Sequence, residues 1–150
     1  MTPGSRAPHS FFLKAVGHAR GPLPEAWLAD ERAAARLSRT GFPRRPRMAA
    51  GDRLVLYASV WRRVFGLAEV LAEPTDATPP GEARRSPRWP WWVPIEPLLV
   101  VPRLENAPPV EAMGVAARSM SQQSHIRITA EQYARAVEAI GSVGAGCSSL

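Results

Sequence analysis

Two apolar runs decide the fold of this 150-residue chain: RLVLYASVW at residues 53–61 and VFGLAEVL at residues 64–71. β-Branched and aromatic residues dominate both runs, which predicts two consecutive strands of a hairpin closed around Trp61-Arg62-Arg63. Both runs are apolar on both faces, which is typical of strands buried in a barrel rather than in an open sheet. Gly66 inside the second run predicts a bulge or a close backbone approach.

Three further apolar runs flank the hairpin, at residues 10–16, 89–101 and 124–128. Each is rich in residues that favour strands, so we expect five or six strands around one core. The prolines at 90 and 94 predict that the 89–101 strand is irregular or lies at a sheet edge.

Helices are predicted outside this core, at residues 24–38, 109–113 and 130–140. The first segment combines alanine, leucine and charged residues at helical spacing. The last begins with a capping box, in which Thr129 and Gln132 satisfy each other's backbone amides, and we expect Gly141 to end it. The fold class is therefore α+β, with two or three helices packed on a β core.

Length and composition limit the class of protein. With 45% hydrophobic and 21% charged residues, the chain fits one soluble domain, predicted at 9–141 between flexible tails at 1–8 and 142–150. The longest aliphatic run, 98–101, is far shorter than the roughly 20 residues of a membrane helix. Cys147 is the one cysteine, which excludes an internal disulfide and a cysteine-based zinc site and predicts a cytoplasmic protein.

Positive charge is concentrated in the first half of the chain. The net charge is +6; residues 1–63 carry 12 basic and four acidic residues, whereas residues 64–150 carry seven and nine. Arginine matches phosphate geometry, so this asymmetry favours DNA or RNA as partner, although a solvated basic surface would have the same composition. The candidate phosphate-binding residues are Arg44, Arg45, Arg47, Arg62 and Arg63.

Tryptophans are crowded around residues 89–92, where Trp91 and Trp92 are adjacent. In an extended chain they point to opposite faces, so both cannot fill one core. We expect at least one tryptophan of this group to line a ligand pocket, since indole rings stack on nucleic-acid bases. Core packing is the alternative, because tryptophan is heavily buried on average.

The histidines lack the spacing of metal ligands, and neither a Gly-x-Ser-x-Gly motif nor a phosphate-binding glycine loop is present. Neither a metal nor a cofactor is therefore expected. His125 follows Ser124 in a cluster of hydrogen-bonding residues before a strand. This pair is assigned either to the ligand pocket or to a structural role near the start of the last helix.

The order of several motifs resembles the EVE domain, a member of the PUA-like superfamily that also includes YTH and ASCH domains. The motifs are FFLKAV at 11–16, GDRLVLY at 51–57, VFGLAEV at 64–70 and QSHIRIT at 123–129. The resemblance covers about residues 10–140. It implies a pseudo-β-barrel with helices outside and a pocket at the barrel mouth, where YTH relatives hold a methylated adenine in an aromatic cage.

On this chain the resemblance assigns the pocket to six residues: Gly17, His18, Ser59, Trp61, Trp89 and Trp91. EVE domains are thought to recognise modified bases in DNA, so the implied partner is DNA or RNA with a modified base. The Gly-x-Lys-x-x-Thr pattern of ASCH-type amidohydrolases is absent around Lys14, so the resemblance carries no catalytic residue to this chain.

Three functions remain open at this point. The first is a reader, a non-enzymatic protein that flips a base into an aromatic pocket and holds the flanking phosphates. The second is a hydrolase acting on a nucleoside-like ligand through His125, Ser124 and Glu69. The third is a protein-interaction module that uses the proline-rich segment 73–90.

Overall fold

The computed structural model describes residues 10–17 and 22–148. Six strands form one mixed sheet in the order β2-β5-β4-β3-β1-β6. The strands are β1 (Phe11–Val16), β2 (Arg39–Phe42), β3 (Arg53–Ala58), β4 (Arg63–Val70), β5 (Trp91–Val100) and β6 (His125–Ile128).

The sheet curls into a half-barrel, which brings its two outer strands, β2 and β6, close to each other. Phe42 on β2 and His125 on β6 lie with ring centroids 5.1 Å apart, edge to face. Each of these strands has one paired neighbour, β5 for β2 and β1 for β6. The predicted pseudo-barrel is confirmed as a half-barrel that does not close between its edge strands β2 and β6. Because β6 pairs with β1 only as far as Lys14, the end of β1 borders the opening opposite β2.

The predicted hairpin is confirmed as β3 and β4, joined by residues 59–62. The turn holds Val60 and Arg62 at positive φ, 76° and 58°. The ladder shifts register between Leu56 and Tyr57, next to the Leu56–Gly66 pair. A Cβ on Gly66 would lie 3.1 Å from the Leu56 side chain, so the glycine permits both the irregularity and the close approach.

The strand predicted at 89–101 is an inner strand and not an edge, because β5 pairs with both β2 and β4. Its ladder with β4 shifts register between Leu67 and Ala68, where Ala68 faces Pro97. The predicted irregularity is therefore present, and the edge position is wrong.

The helix predicted over residues 24–38 is broken into short pieces. A 3-10 turn spans Trp27–Ala29, a four-residue helix α1 spans Glu31–Ala34, and a second 3-10 turn spans Ala35–Leu37. Asp30 adopts extended dihedrals between the first turn and α1, and its carbonyl accepts the Ala34 amide, as at a helix start. Packing of the buried Trp27 overrides the helical pattern, so two or three packed helices are not present.

The one long helix is α2 (Ala130–Ser148). Its capping box is confirmed: Thr129 Oγ1 accepts the Gln132 amide at 3.0 Å, and Gln132 Oε1 accepts the Thr129 amide at 2.9 Å. The predicted end at Gly141 is wrong, because the helix continues for seven residues beyond it. Ile140 is fully buried and Val143 packs against the core, so tertiary contacts hold this stretch.

Gly141 provides a direct test of this helix end. Gly141→Ala is expected to raise the free energy of unfolding by about 0.5–1 kcal/mol, because alanine is the better helix former and a Cβ there meets no atom within 4 Å. Urea unfolding measures the difference. A loss of stability would instead mean that the helix ends at Gly141 in a left-handed conformation.

The remaining short helix is also confirmed in part: a 3-10 turn spans Val110–Met113 and ends at Gly114, whose φ is 85°. Within the described parts of the chain, no helix is both long and apolar enough to cross a membrane.

Candidate functional site

A cavity of about 460 Å³ occupies the gap between β1 and β2. The end of β1 forms one side, β2 forms the other, and the segment 75–90, which precedes β5, covers it. The residues that border it are Lys14, Ala15, Val16, Gly17, Ala35, Arg39, Thr40, Gly41, Pro79, Glu82, Ser86, Trp89 and Trp92. The site therefore lies where the barrel stays open.

Lys14 supplies a buried positive charge to this cavity, although it stands in an otherwise apolar strand. Its side chain is 4% exposed. Nζ donates to the Ala15 carbonyl at 2.6 Å and lies 4.8 Å from the Phe42 ring centroid and 5.9 Å from that of Trp89. Aromatic faces attract cations, so both rings stabilise the ammonium, which also has other interactions.

Two indole rings border the cavity on its outer side. Trp89 packs directly over Gly41, where an added Cβ would lie 3.0 Å from the Trp89 Cβ. Trp92 donates its indole N–H to the Ala77 carbonyl at 2.9 Å. Gly41 thus allows Trp89 to approach β2. The hydrogen bond to Ala77 holds the Trp92 ring against the covering segment.

The covering segment is tied down by polar contacts. Arg39 on β2 forms an ion pair with Glu82 and also donates to the Pro80 carbonyl. Arg85 pairs with Asp76 at 2.9 Å within the segment. Further back, the backbone of Thr75 bridges to that of Trp92. The proline-rich segment that was a candidate partner surface therefore forms one wall of the cavity.

His125 lies beside the cavity but does not border it. It pairs with Lys14 across β1 and β6, packs edge-on against Phe42, and shares a 2.9 Å hydrogen bond between Nδ1 and the Ser124 hydroxyl. Burial lowers the pKa of His125, and the Lys14 charge lowers it further. The imidazole is consequently neutral at pH 7, and the Ser124–His125 pair faces aromatic rings.

The lowered pKa of His125 makes stability depend on pH. The folded-state pKa lies below the ordinary value of 6.5, so the unfolded chain binds the proton more readily. This contribution to stability is present above pH 6.5 and is lost as pH falls through 6.5 toward the folded-state pKa. We expect His125→Gln to reduce the loss of stability between pH 7.5 and pH 5.5, measured by urea unfolding at each pH.

Ser124→Ala is the matched control for this prediction, because it keeps the imidazole and its burial while removing the hydroxyl. It should retain most of the pH dependence. Equal pH dependence in the wild-type protein and His125→Gln would contradict the assignment.

The other predicted pocket residues are dispersed. Trp61 donates its indole N–H to the Leu23 carbonyl at 2.8 Å and packs against the core. Ser59 bonds through its amide to the Val16 carbonyl and does not border the cavity. Trp91 contacts Arg45, whose guanidinium lies 5.3 Å from the ring centroid. Among the described residues that were predicted, Gly17 and Trp89 border the cavity, whereas His18 lies outside the described residues.

The predicted phosphate-binding arginines fall into two groups. Arg45 and Arg47 border a shallow groove with Ser10 and Asp52, next to the start of β3, and the exposed Arg44 belongs to the same segment. Arg62 and Arg63 follow the end of β3. A six-residue strand is about 20 Å long, so the groups do not form one patch.

Within the second group the two arginines differ. The Arg63 guanidinium donates to the Ala107 carbonyl at 2.6 Å and to the Glu105 carbonyl at 3.2 Å, which is a structural role. Arg62 is exposed and lies at the cavity end of β3, because β3 runs parallel to β1.

Solved structures share this arrangement of the chain. A hypothetical protein from Leishmania major superposes with a TM-score of 0.56 at 18% identity, over 89% of this chain and 95% of that one. A protein from Agrobacterium tumefaciens gives 0.53 at 19% identity, over 90% and 93%. The fold is EVE-like. The fold expected from the motif order is thereby confirmed, as a likeness of fold alone.

Human THYN1 in complex with DNA containing 5-methylcytosine is more distant from this chain. Its TM-score is 0.47 at 12% identity, over 86% of this chain and 96% of that one, a likeness too low to transfer a ligand. No protein-family model matches the sequence, and no curated protein matches it.

The sequence did not assign the other polar or aromatic residues of the cavity lining to the site, which are Lys14, Arg39, Thr40, Glu82, Ser86 and Trp92. One signal was available. Lys14 is the only lysine in the sequence and interrupts an apolar strand, and a charge in such a place needs a specific environment. Within residues 10–17 and 22–148, no three histidine, cysteine, aspartate or glutamate side chains gather to hold a metal ion.

Proposed function

We propose that this protein is a nucleic-acid reader that holds one flipped, modified base in the cavity between β1 and β2. The observation that carries the proposal is the pair of indoles, Trp89 and Trp92, on a cavity that also contains the Lys14 charge. A volume of about 460 Å³ is within the range of small-ligand pockets and accommodates a nucleobase. Stacking on an aromatic ring contributes about 1–3 kcal/mol per base, which offsets the cost of flipping.

The charges around the opening support a polyanionic partner. The segment that covers the cavity carries Arg84, Arg85 and Arg88, all exposed, and Arg62 lies at the same end of the barrel. Of these, Arg85 pairs with Asp76. These arginines extend the phosphate contacts proposed from sequence. Arg44, Arg45 and Arg47 lie beside the start of β3 and would contact only a nucleic acid that extends past the cavity.

The geometry gives less support to a hydrolase. Of the three groups that this reaction would use, Ser124 and His125 do not border the cavity, and Glu69 pairs with Arg53 at 3.7 Å. Arg53 faces Glu69 at the start of β3, at the other end of the barrel from the cavity. A general base must reach the reacting atom within a hydrogen-bond distance.

Tryptophan-fluorescence titration with short oligonucleotides tests the proposal. Single and double strands, each with and without methylated adenine or cytosine, are compared at 50 and 200 mM salt. We expect saturable quenching that prefers one modified strand and weakens as salt rises, because bound phosphates release counterions. Quenching by every strand alike that is lost at the higher salt would leave only a basic surface, and no response would overturn the proposal.

A further inference from the structure

We propose that Lys14 selects the base that enters the cavity, so that a neutral base presenting a carbonyl oxygen is favoured over adenine and over any base with a positive charge. Cytosine, thymine, uracil and guanine carry such an oxygen; adenine does not. This inference rests on the proposed function and specifies the class of base.

The first step of the argument is the position of the charge. Lys14 is more than nine-tenths buried and still borders the cavity, so its ammonium acts in a poorly hydrated place. Charges interact more strongly there than in water. A ligand atom with high negative charge, such as a carbonyl oxygen, is attracted, and a cationic ligand is repelled.

The second step is the balance of charge around the cavity. Among the described residues that border it, the carboxylate is Glu82, and it is paired with Arg39 at the rim. Lys14, Arg39 and Glu82 together leave a net charge of +1. An aromatic cage binds a methylated cation on its ring faces, so it needs rings that are not occupied by a positive charge of the protein. Here the faces of Phe42 and Trp89 already lie against the ammonium of the protein.

The third step concerns the other polar side chain on the inner wall. Thr40 is buried beside Lys14 in the cavity lining, and its hydroxyl can donate or accept a hydrogen bond. Such a group adapts to any base edge. Discrimination between bases therefore falls to the lysine. The Lys14 charge also helps to lower the pKa of the neighbouring His125, so the electrostatic field of the lysine extends beyond its own contacts.

The test uses five-nucleotide single strands in which abasic spacers flank one central base. Binding to the wild-type protein is measured with cytosine, thymine, guanine, adenine and 7-methylguanine, which is cationic, at the centre. We expect the three carbonyl-bearing neutral bases to bind at least about fivefold more tightly than adenine and 7-methylguanine. In Lys14→Met the difference should fall below about twofold, whereas Lys14→Arg should keep it.

The single lysine gives a second readout that needs no variant. Protein labelled with ¹³C-lysine shows one side-chain ε-methylene signal, since Lys14 is the only lysine. At equal saturation we expect the cytosine strand to shift this signal more than the adenine strand does.

The outcomes separate the two proposals. Equal affinity for all five strands, with binding that still requires Trp89, would overturn the selection by Lys14 and leave the reader function standing. Binding that is unchanged in Trp89→Ala would overturn the reader function in this cavity.

Discussion

Replacing Trp27 with alanine is expected to lower the free energy of unfolding by about 3–5 kcal/mol, the usual cost of truncating a buried tryptophan. The side chain is 1% exposed and lies edge-on to Phe65 at 4.9 Å between ring centroids. Its indole N–H donates to the Val101 carbonyl at 2.8 Å, which would be left without this partner. Urea unfolding followed by circular dichroism measures the change.

Leu28→Ala is the matched control, because the neighbouring side chain is 40% exposed. We expect it to change stability by about 0.5 kcal/mol or less. If Trp27→Ala lowers the free energy of unfolding by less than about 1 kcal/mol, the segment between β1 and β2 does not pack against the sheet as described. The net stability of a domain is small, so burial of Trp27 contributes a large share of it. A contribution of this size is enough to override the helical pattern around Trp27.

The largest expected effect on binding comes from Trp89→Ala. Loss of one stacking ring should weaken binding of a modified oligonucleotide by about 1–3 kcal/mol, or roughly 5- to 150-fold. Trp89 is 37% exposed, so removal of the ring should cost less stability than truncation of the buried Trp27, although it takes away one of the two rings near the Lys14 ammonium. Fluorescence anisotropy with a labelled oligonucleotide measures the affinity.

Trp91→Phe serves as the control for binding. Its ring stands outside the cavity against Arg45, and phenylalanine keeps an aromatic face there. Affinity should stay within about twofold of the wild-type value. If Trp91→Phe weakens binding as much as Trp89→Ala does, the nucleic acid lies over the Arg45 groove and the cavity is not its site.

The strands could be predicted because each one is a contiguous run of apolar residues bounded by turn signals. Phe11–Val16, the β3–β4 hairpin and the Thr129 capping box all depend on neighbours in sequence. β2 was missed because its four residues, Arg39–Phe42, carry little strand character of their own. They become a strand by pairing with β5, a contact between residues about 50 positions apart.

The lining of the cavity could be predicted less well than the strands, because its residues come from separate parts of the chain. Trp89 was recognised from the crowding of tryptophans, but which ring faces the cavity depends on the β2–β5 register, which places Trp92 opposite Gly41. Lys14, Arg39 and Glu82 come together only when the barrel curls and the covering segment folds back. Arg63 was assigned to phosphate from composition. Its guanidinium donates to the carbonyls of Glu105 and Ala107, which only the folded chain brings near it.

The position of β1 between β3 and β6 has a consequence for the newly made chain. β1 is the first strand of this sheet to leave the ribosome, yet its partner Ile128 follows Phe11 by 117 residues. At roughly 5–20 residues per second, that partner emerges about 6–23 s later. During this interval one edge of β1 stays open to other nascent chains, a known route to aggregation. Chaperone dependence should therefore be greatest before residues 125–128 are translated.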